Sequence, residues 1–241
     1  GGVVVAHGGW RAAFWLLAAL AAAITAATAR LLPETAPGLD ATALHPARLL
    51  PSYRLILRDR GFLGFAGVTA ATYTGLFCFI SGSSHVAQKG LGLGPQGYGL
   101  MFATAVAGYV LGSMLSRHFS PRLGVVRMVA IGVALCLVFG WSGPAALALF
   151  GPGVVTVSAP MALYMIGFAL AQTNAQAGAV APFPHMAGRA SALLGFLQWG
   201  IAALGGLALA QVLDTAGWAM ALGIAFSATA AAAALALLLR R

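Results

Sequence analysis

The chain has 241 residues, of which 61% are hydrophobic and only 7% charged, yet its formal net charge is +9. The whole stretch between Arg127 and Arg189 contains no Asp, Glu, Lys or Arg, and a water-soluble core of this length has no use for so much uncharged sequence. The composition therefore excludes a soluble globular domain, and it places the positive charge in short loops between apolar stretches rather than on a nucleic-acid-binding face.

A helix rises about 1.5 Å per residue and must cross roughly 30 Å of hydrocarbon, so each crossing takes about 20 apolar residues. Seven such stretches are predicted. They are too long and too uniformly apolar for the alternating strands of an outer-membrane barrel, so the expected class is an all-α membrane protein. The opening Gly1-Gly2-Val3-Val4-Val5-Ala6 has no initiator Met and no basic leader, and reads as the tail of an earlier span. The first span is Trp10–Leu32. The connector 33–60 follows, turn-rich over Glu34–Asp40; in its second half Ser52 is expected to cap a short helix that sets Tyr53, Leu55, Ile56 and Leu57 among Arg54, Arg58 and Arg60, a pattern suited to the headgroup layer.

The second span, Phe62–Gly82, carries Tyr73, Thr74, Phe77 and Ser81 as a mixed aromatic and hydroxyl stripe. In the third, Tyr98–Ser116, Gly108 and Gly112 have the spacing of a helix-association motif. The fourth covers Arg127–Gly140 plus a few residues, and the chain is expected to turn back between Gly140 and Gly153. In the fifth, Val155–Val180, Tyr164, Phe168, Gln172 and Gln176 share one side, while Gly167, Ala171, Asn174 and Gly178 form a small-residue face. Amides are costly against lipid, so these face either a wet cavity or a neighbouring helix. The sixth, Ala190–Val212, places Gln198 among small residues. The seventh is Gly217–Leu239. The candidate substrate-binding residues are thus Tyr73, Thr74, Phe77, Ser81, Tyr164, Phe168, Gln172, Gln176 and Gln198, each with ordinary packing as its rival reading.

Basic residues orient such a bundle, because cytoplasmic loops retain them. Taken alternately, the loops put Arg30, Arg48, Arg54, Arg58, Arg60, Arg117, Arg122, Arg127, Arg189, Arg240 and Arg241 on one side and only Arg11 and Lys89 on the other. Trp10, Trp141 and Trp218 fall at span ends assigned to the outer face. The C-terminus is expected in the cytoplasm and the N-terminus outside, in a multi-pass protein of the inner (plasma) membrane. Cys78 and Cys136 lie within spans and read as packing residues rather than a disulfide.

Enzyme chemistry finds little support. Ser81-Gly82-Ser83-Ser84-His85 offers a nucleophile beside a histidine only at a span end, where cap and loop roles suffice. His7, His45, His85, His118 and His185 are scattered, without cysteine or carboxylate at metal spacing. No catalytic residue, metal or organic cofactor is expected.

Several strings resemble the drug-resistance efflux transporters of the Bcr/CflA type, within the major facilitator superfamily: Gly9-Trp10-Arg11-Ala12-Ala13-Phe14-Trp15, Leu31-Leu32-Pro33-Glu34-Thr35, Ser52–Asp59, Gly75–Ser83, Gly99–Ala103, Asn174-Ala175, and most specifically Gly188–Gln198. The resemblance implies a twelve-span fold of which this chain holds the sixth to the twelfth. Residues 1–32 would then end an N-terminal bundle otherwise missing here, 33–60 form the cytoplasmic inter-bundle loop, and 61–241 form the C-terminal six-helix bundle. It further implies a secondary transporter that exports drugs or other small amphipathic compounds by alternating access, driven by a proton gradient. Two features depart from the family. Gly112–Gly124 stands where the superfamily has a glycine–acid–arginine loop, but contains no acid, and Thr173 stands where the family has Pro. No Asp or Glu lies inside any predicted span, so a coupling carboxylate would have to come from the missing bundle. A transporter of another metabolite and a non-transporting membrane scaffold remain the alternatives.

Overall fold

The computed structural model describes residues 2–32 and 46–239. Gly1, most of the connector with Glu34, Asp40 and His45, and Arg240 and Arg241 lie outside the described residues. The helices are α1 (Gly2–Leu31), α2 (Pro46–Arg58), α3 (Arg60–His85), α4 (Pro95–Leu123), α5 (Val125–Phe150), α6 (Val154–Val180), α7 (Ala187–Gln211) and α8 (Trp218–Leu239). Among the described residues seven helical stretches are long and apolar enough to cross a bilayer, all of these helices but α2. In α1 a break at Gly9 (φ 70°, ψ 173°) separates a short helical stretch from the span, whose Phe14, Trp15, Leu16, Leu17 and Leu20 are exposed. Apolar exposure of that extent marks a rod whose surface is covered by lipid or by other membrane-embedded helices.

Four expectations need correction. The chain turns back within the expected Gly140–Gly153 stretch, but the fourth span is longer than Gly140 plus a few residues: α5 runs on through Gly143 and Pro144 to Phe150. Its mid-helix glycines serve packing instead, since a Cβ on Gly140 would meet Ala228 of α8. The reversal occurs at Gly151, whose φ of 72° suits a residue without a Cβ. Trp141 consequently sits within the helix, not at a span end; its Nε1 donates to Thr229 Oγ1 of α8 at 3.0 Å and its ring meets Phe226 edge-on. Ser52 is not a cap, because α2 starts earlier, at Pro46. Its hydroxyl instead accepts from Nη1 of Arg189 at 2.9 Å, pinning α2 to the start of α7. The segment around Arg117 and Arg122 is not a loop: α4 continues to Leu123, and the joint to α5 is the single residue Gly124 (φ 77°).

Asp59 starts α3 by accepting the Phe62 N–H at 2.7 Å. From there α3 packs along α6, α7 and α8, while α6 also holds α4 and α5, so these two helices form the spine of the bundle. Close approach is set by small residues. Added methyl groups would collide with the Ala162 carbonyl at Gly108, with Ile166 and Ala169 at Gly112, and with the α5 backbone at Gly167. Two apolar clusters result, one around Phe79, Val86, Met101, Met161 and Met220, the other around Ile56, Phe62, Val68, Val129 and Ala175. Cys78 and Cys136 are free and buried.

Candidate functional site

Between the two apolar clusters lies a polar seam. Thr72, buried near the middle of α3, bonds back to the Val68 carbonyl and approaches Oε1 of Gln172 at 3.2 Å. Gln172 donates from Nε2 to Oε1 of Gln198 at 2.8 Å, and Gln176 donates to the same oxygen at 3.4 Å. Three helices are thus joined by neutral amides and a hydroxyl at mid-depth, where water is scarce and unpaired polar groups are costly. Among the described residues neither Nε2 of Gln198 nor Oε1 of Gln176 has a hydrogen-bond partner. Donors and an acceptor are therefore left over on the open side of the seam.

That open side is a groove of about 360 Å³, reached between α4 and α7, which both lean on the α3–α6 spine. Its walls are Tyr73, Phe79, Phe102, Tyr109, Met165 and Phe168, with Gln172, Gln176 and Gln198 at its polar edge. The rings form a run: Trp199 lies 4.7 Å from Tyr73, Tyr73 lies 6.2 Å from Phe168, and Phe168 lies 6.1 Å from Tyr109. Aromatic faces with a few neutral hydrogen-bonding groups and no ionised side chain suit a partly apolar, weakly polar guest.

Of the residues singled out in the sequence, Tyr73, Phe168, Gln172, Gln176 and Gln198 meet in this groove. Tyr164, Thr74, Phe77 and Ser81 do not line it. Tyr164 is fully buried and its hydroxyl donates to the Thr72 carbonyl at 2.8 Å. Thr74 turns to Gly205, and Phe77 and Ser81 to Gly206, on the seam between α3 and α7. Sequence reasoning missed the whole α4 wall. The signal was there, because Phe102, Val106 and Tyr109 recur at helical spacing on one side of α4, but that stripe itself carries no amide to draw attention to it. Asn174, read as part of a small-residue face, donates to Ser116 Oγ at 2.9 Å and fastens α6 to α4.

The sequence profile of the Major Facilitator Superfamily matches residues 1–207. The chain belongs to the major facilitator superfamily. It is accordingly a multi-pass membrane protein of a transporter family rather than of an enzyme family. Multidrug resistance protein D of Escherichia coli (strain K12) is 29% identical over 205 residues, which cover 82% of this superfamily member and 49% of that protein. The bicyclomycin resistance protein homolog of Haemophilus influenzae is 24% identical over 218 residues, 90% of this chain and 54% of the relative. Multidrug transporter MdfA of Edwardsiella piscicida is 27% identical over 197 residues, 81% and 48% respectively. The chain spans about half the length of these curated relatives.

Proposed function

We propose that the protein exports neutral or weakly polar amphipathic compounds, including drugs, across the bacterial inner membrane, and that the groove described above is one wall of its cargo site. The observation that carries this reading is the coincidence, near the middle of the spans, of an aromatic wall with amide atoms that have no partner among the described residues. The names of the relatives, which include multidrug and bicyclomycin resistance, support the same cargo class. Movement is by alternating access, with this bundle rocking against a second one about a midplane site. In this reading the excess of arginines at one end of the bundle, among them Arg58, Arg117 and Arg189, puts that end in the cytoplasm.

The driving force in this reading is the proton gradient. The spans described here contain no Asp or Glu, so the titrating carboxylate belongs to the part of the relatives' length that this chain does not span. Expression of the full-length protein in a drug-sensitive bacterium tests the proposal. The wild type should raise tolerance to uncharged aromatic antibiotics, and Gln172→Ala and Tyr73→Ala should each lower that protection, Gln172→Ala by on the order of tenfold in cargo affinity because the bond that orients the Gln198 amide is lost. Equal protection by all three would reject the site, and cargo movement without drug protection would assign the protein to another metabolite.

A further inference from the structure

A second recess lies at the end of the bundle where α2 meets the α6–α7 turn. It consists of two adjoining grooves of about 440 Å³ and about 300 Å³ that share Leu55 and Arg58. Arg54 and Arg58 stand one helical turn apart on α2 and both are exposed. Among the described residues neither makes a hydrogen bond or an ion pair. His185 adds a further nitrogen base across the recess. The carboxylate in the lining, Asp59, is engaged by the Phe62 N–H that it caps.

The apolar half of the recess is equally unspent. Leu50 and Leu55 are 71% and 55% exposed on the same helix as the two arginines, whereas Ile56 points inward and is fully buried. The Arg189–Ser52 bond holds α2 against the start of α7, so these side chains sit level with the ends of the α3, α6 and α7 spans, where a bilayer crossed by those spans would place its headgroups. We propose that this recess binds an anionic glycerophospholipid, its phosphate between Arg54 and Arg58 and its upper acyl carbons along Leu50 and Leu55. Free phosphate would use the arginines but leave the leucines in water. A lipid satisfies both at once.

Native mass spectrometry of the full chain in detergent, titrated with phosphatidylglycerol, tests this. Arg58→Gln should weaken binding about fivefold and Arg54→Gln/Arg58→Gln roughly thirtyfold, as expected for about one unit of surface attraction per arginine. Phosphatidylcholine should bind weakly to every variant, and millimolar inorganic phosphate should not displace phosphatidylglycerol. Arg117→Gln/Arg122→Gln, which removes two charges from the same end of the bundle, should change binding little. A loss as large in that control as in the Arg54/Arg58 pair would overturn the site as mere surface charge. Displacement by inorganic phosphate would overturn the lipid as its occupant. A gain of affinity in Glu34→Gln/Asp40→Asn would assign the recess to the chain's own acidic connector instead. If the double variant does not fold, the single Arg58→Gln titration decides alone.

Discussion

Tyr164 carries its hydroxyl into the tightest part of the bundle, where it donates to the Thr72 carbonyl and lies directly against Gly75, with no room for a methyl group there. A carbonyl that already serves its own helix gains little from a second donor, so Tyr164→Phe should cost about 1 kcal/mol. In detergent that would lower the melting temperature by about 2–4 °C and, on the proposed function, leave the range of exported compounds unchanged. Gln172→Ala should change both, because Gln172 stands in the seam and at the groove. In the sequence these two residues look alike, since both belong to one stripe along α6. The stripe is real, but helical spacing cannot say how deep the neighbouring helices cover it. At Tyr164, α3 and α8 close over the ring; one helical turn further along, at Phe168, the groove opens. Thr74, Phe77 and Ser81 differ from Tyr73 for the same reason, being turned toward the glycines of α7 rather than toward the open side.

At the scale of elements, the α7–α8 turn is organised by one carboxylate. Asp214 accepts the N–H groups of Gly217, Trp218 and Ala219 at 2.5, 3.1 and 2.7 Å and so starts α8. Burial alone would raise its pKa, but these bonds, with that of Ala216, outweigh burial and hold the carboxyl below the ordinary carboxylate range. A depressed folded-state pKa contributes stability above the unfolded value and loses it as pH falls through the folded one. Asp214→Ala should therefore cost about 1 kcal/mol at pH 7, and the gap between the two melting curves should close only below about pH 4. The span count and the identity of each helix were legible from apolar length alone, yet α4 and α5 ran longer than expected. Arginines at a helix end extend toward water without breaking the helix, so charge marks the water boundary but not the last turn. The reversal could be narrowed no further than Gly140–Gly153, because one residue type serves both reversals and close packing. Positive φ at Gly124 and Gly151 separates the two uses, and no sequence pattern displays it.

For the molecule as a whole, alternation of seven spans makes a topological prediction. Cysteines placed at 58 and 118 should react with a membrane-impermeant thiol reagent from one side of the membrane, and those at 91 and 152 from the other. The native Cys78 and Cys136, buried among helices, should give little background. Reaction of all four positions from one side would reject the spanning order. This architecture was the most readable property of the sequence, because hydrophobic length and loop charge act over many residues and tolerate local error. The α2 recess was the least readable, since it is made by Ser52 and Arg189, far apart in the chain. A last consequence follows from the neutral seam. Ionised side chains sit only toward the ends of the described spans, and the middle of the bundle joins α3, α6 and α7 through amides and hydroxyls. When such a body tilts, it drags almost no gating charge through the electric field, where each elementary charge would involve about 2.3 kcal/mol per 100 mV. If the protein works by the alternating access proposed above, the swing of this half is electrically silent, and any voltage sensitivity must enter with the cargo, the coupling ion or the part of the protein outside this chain.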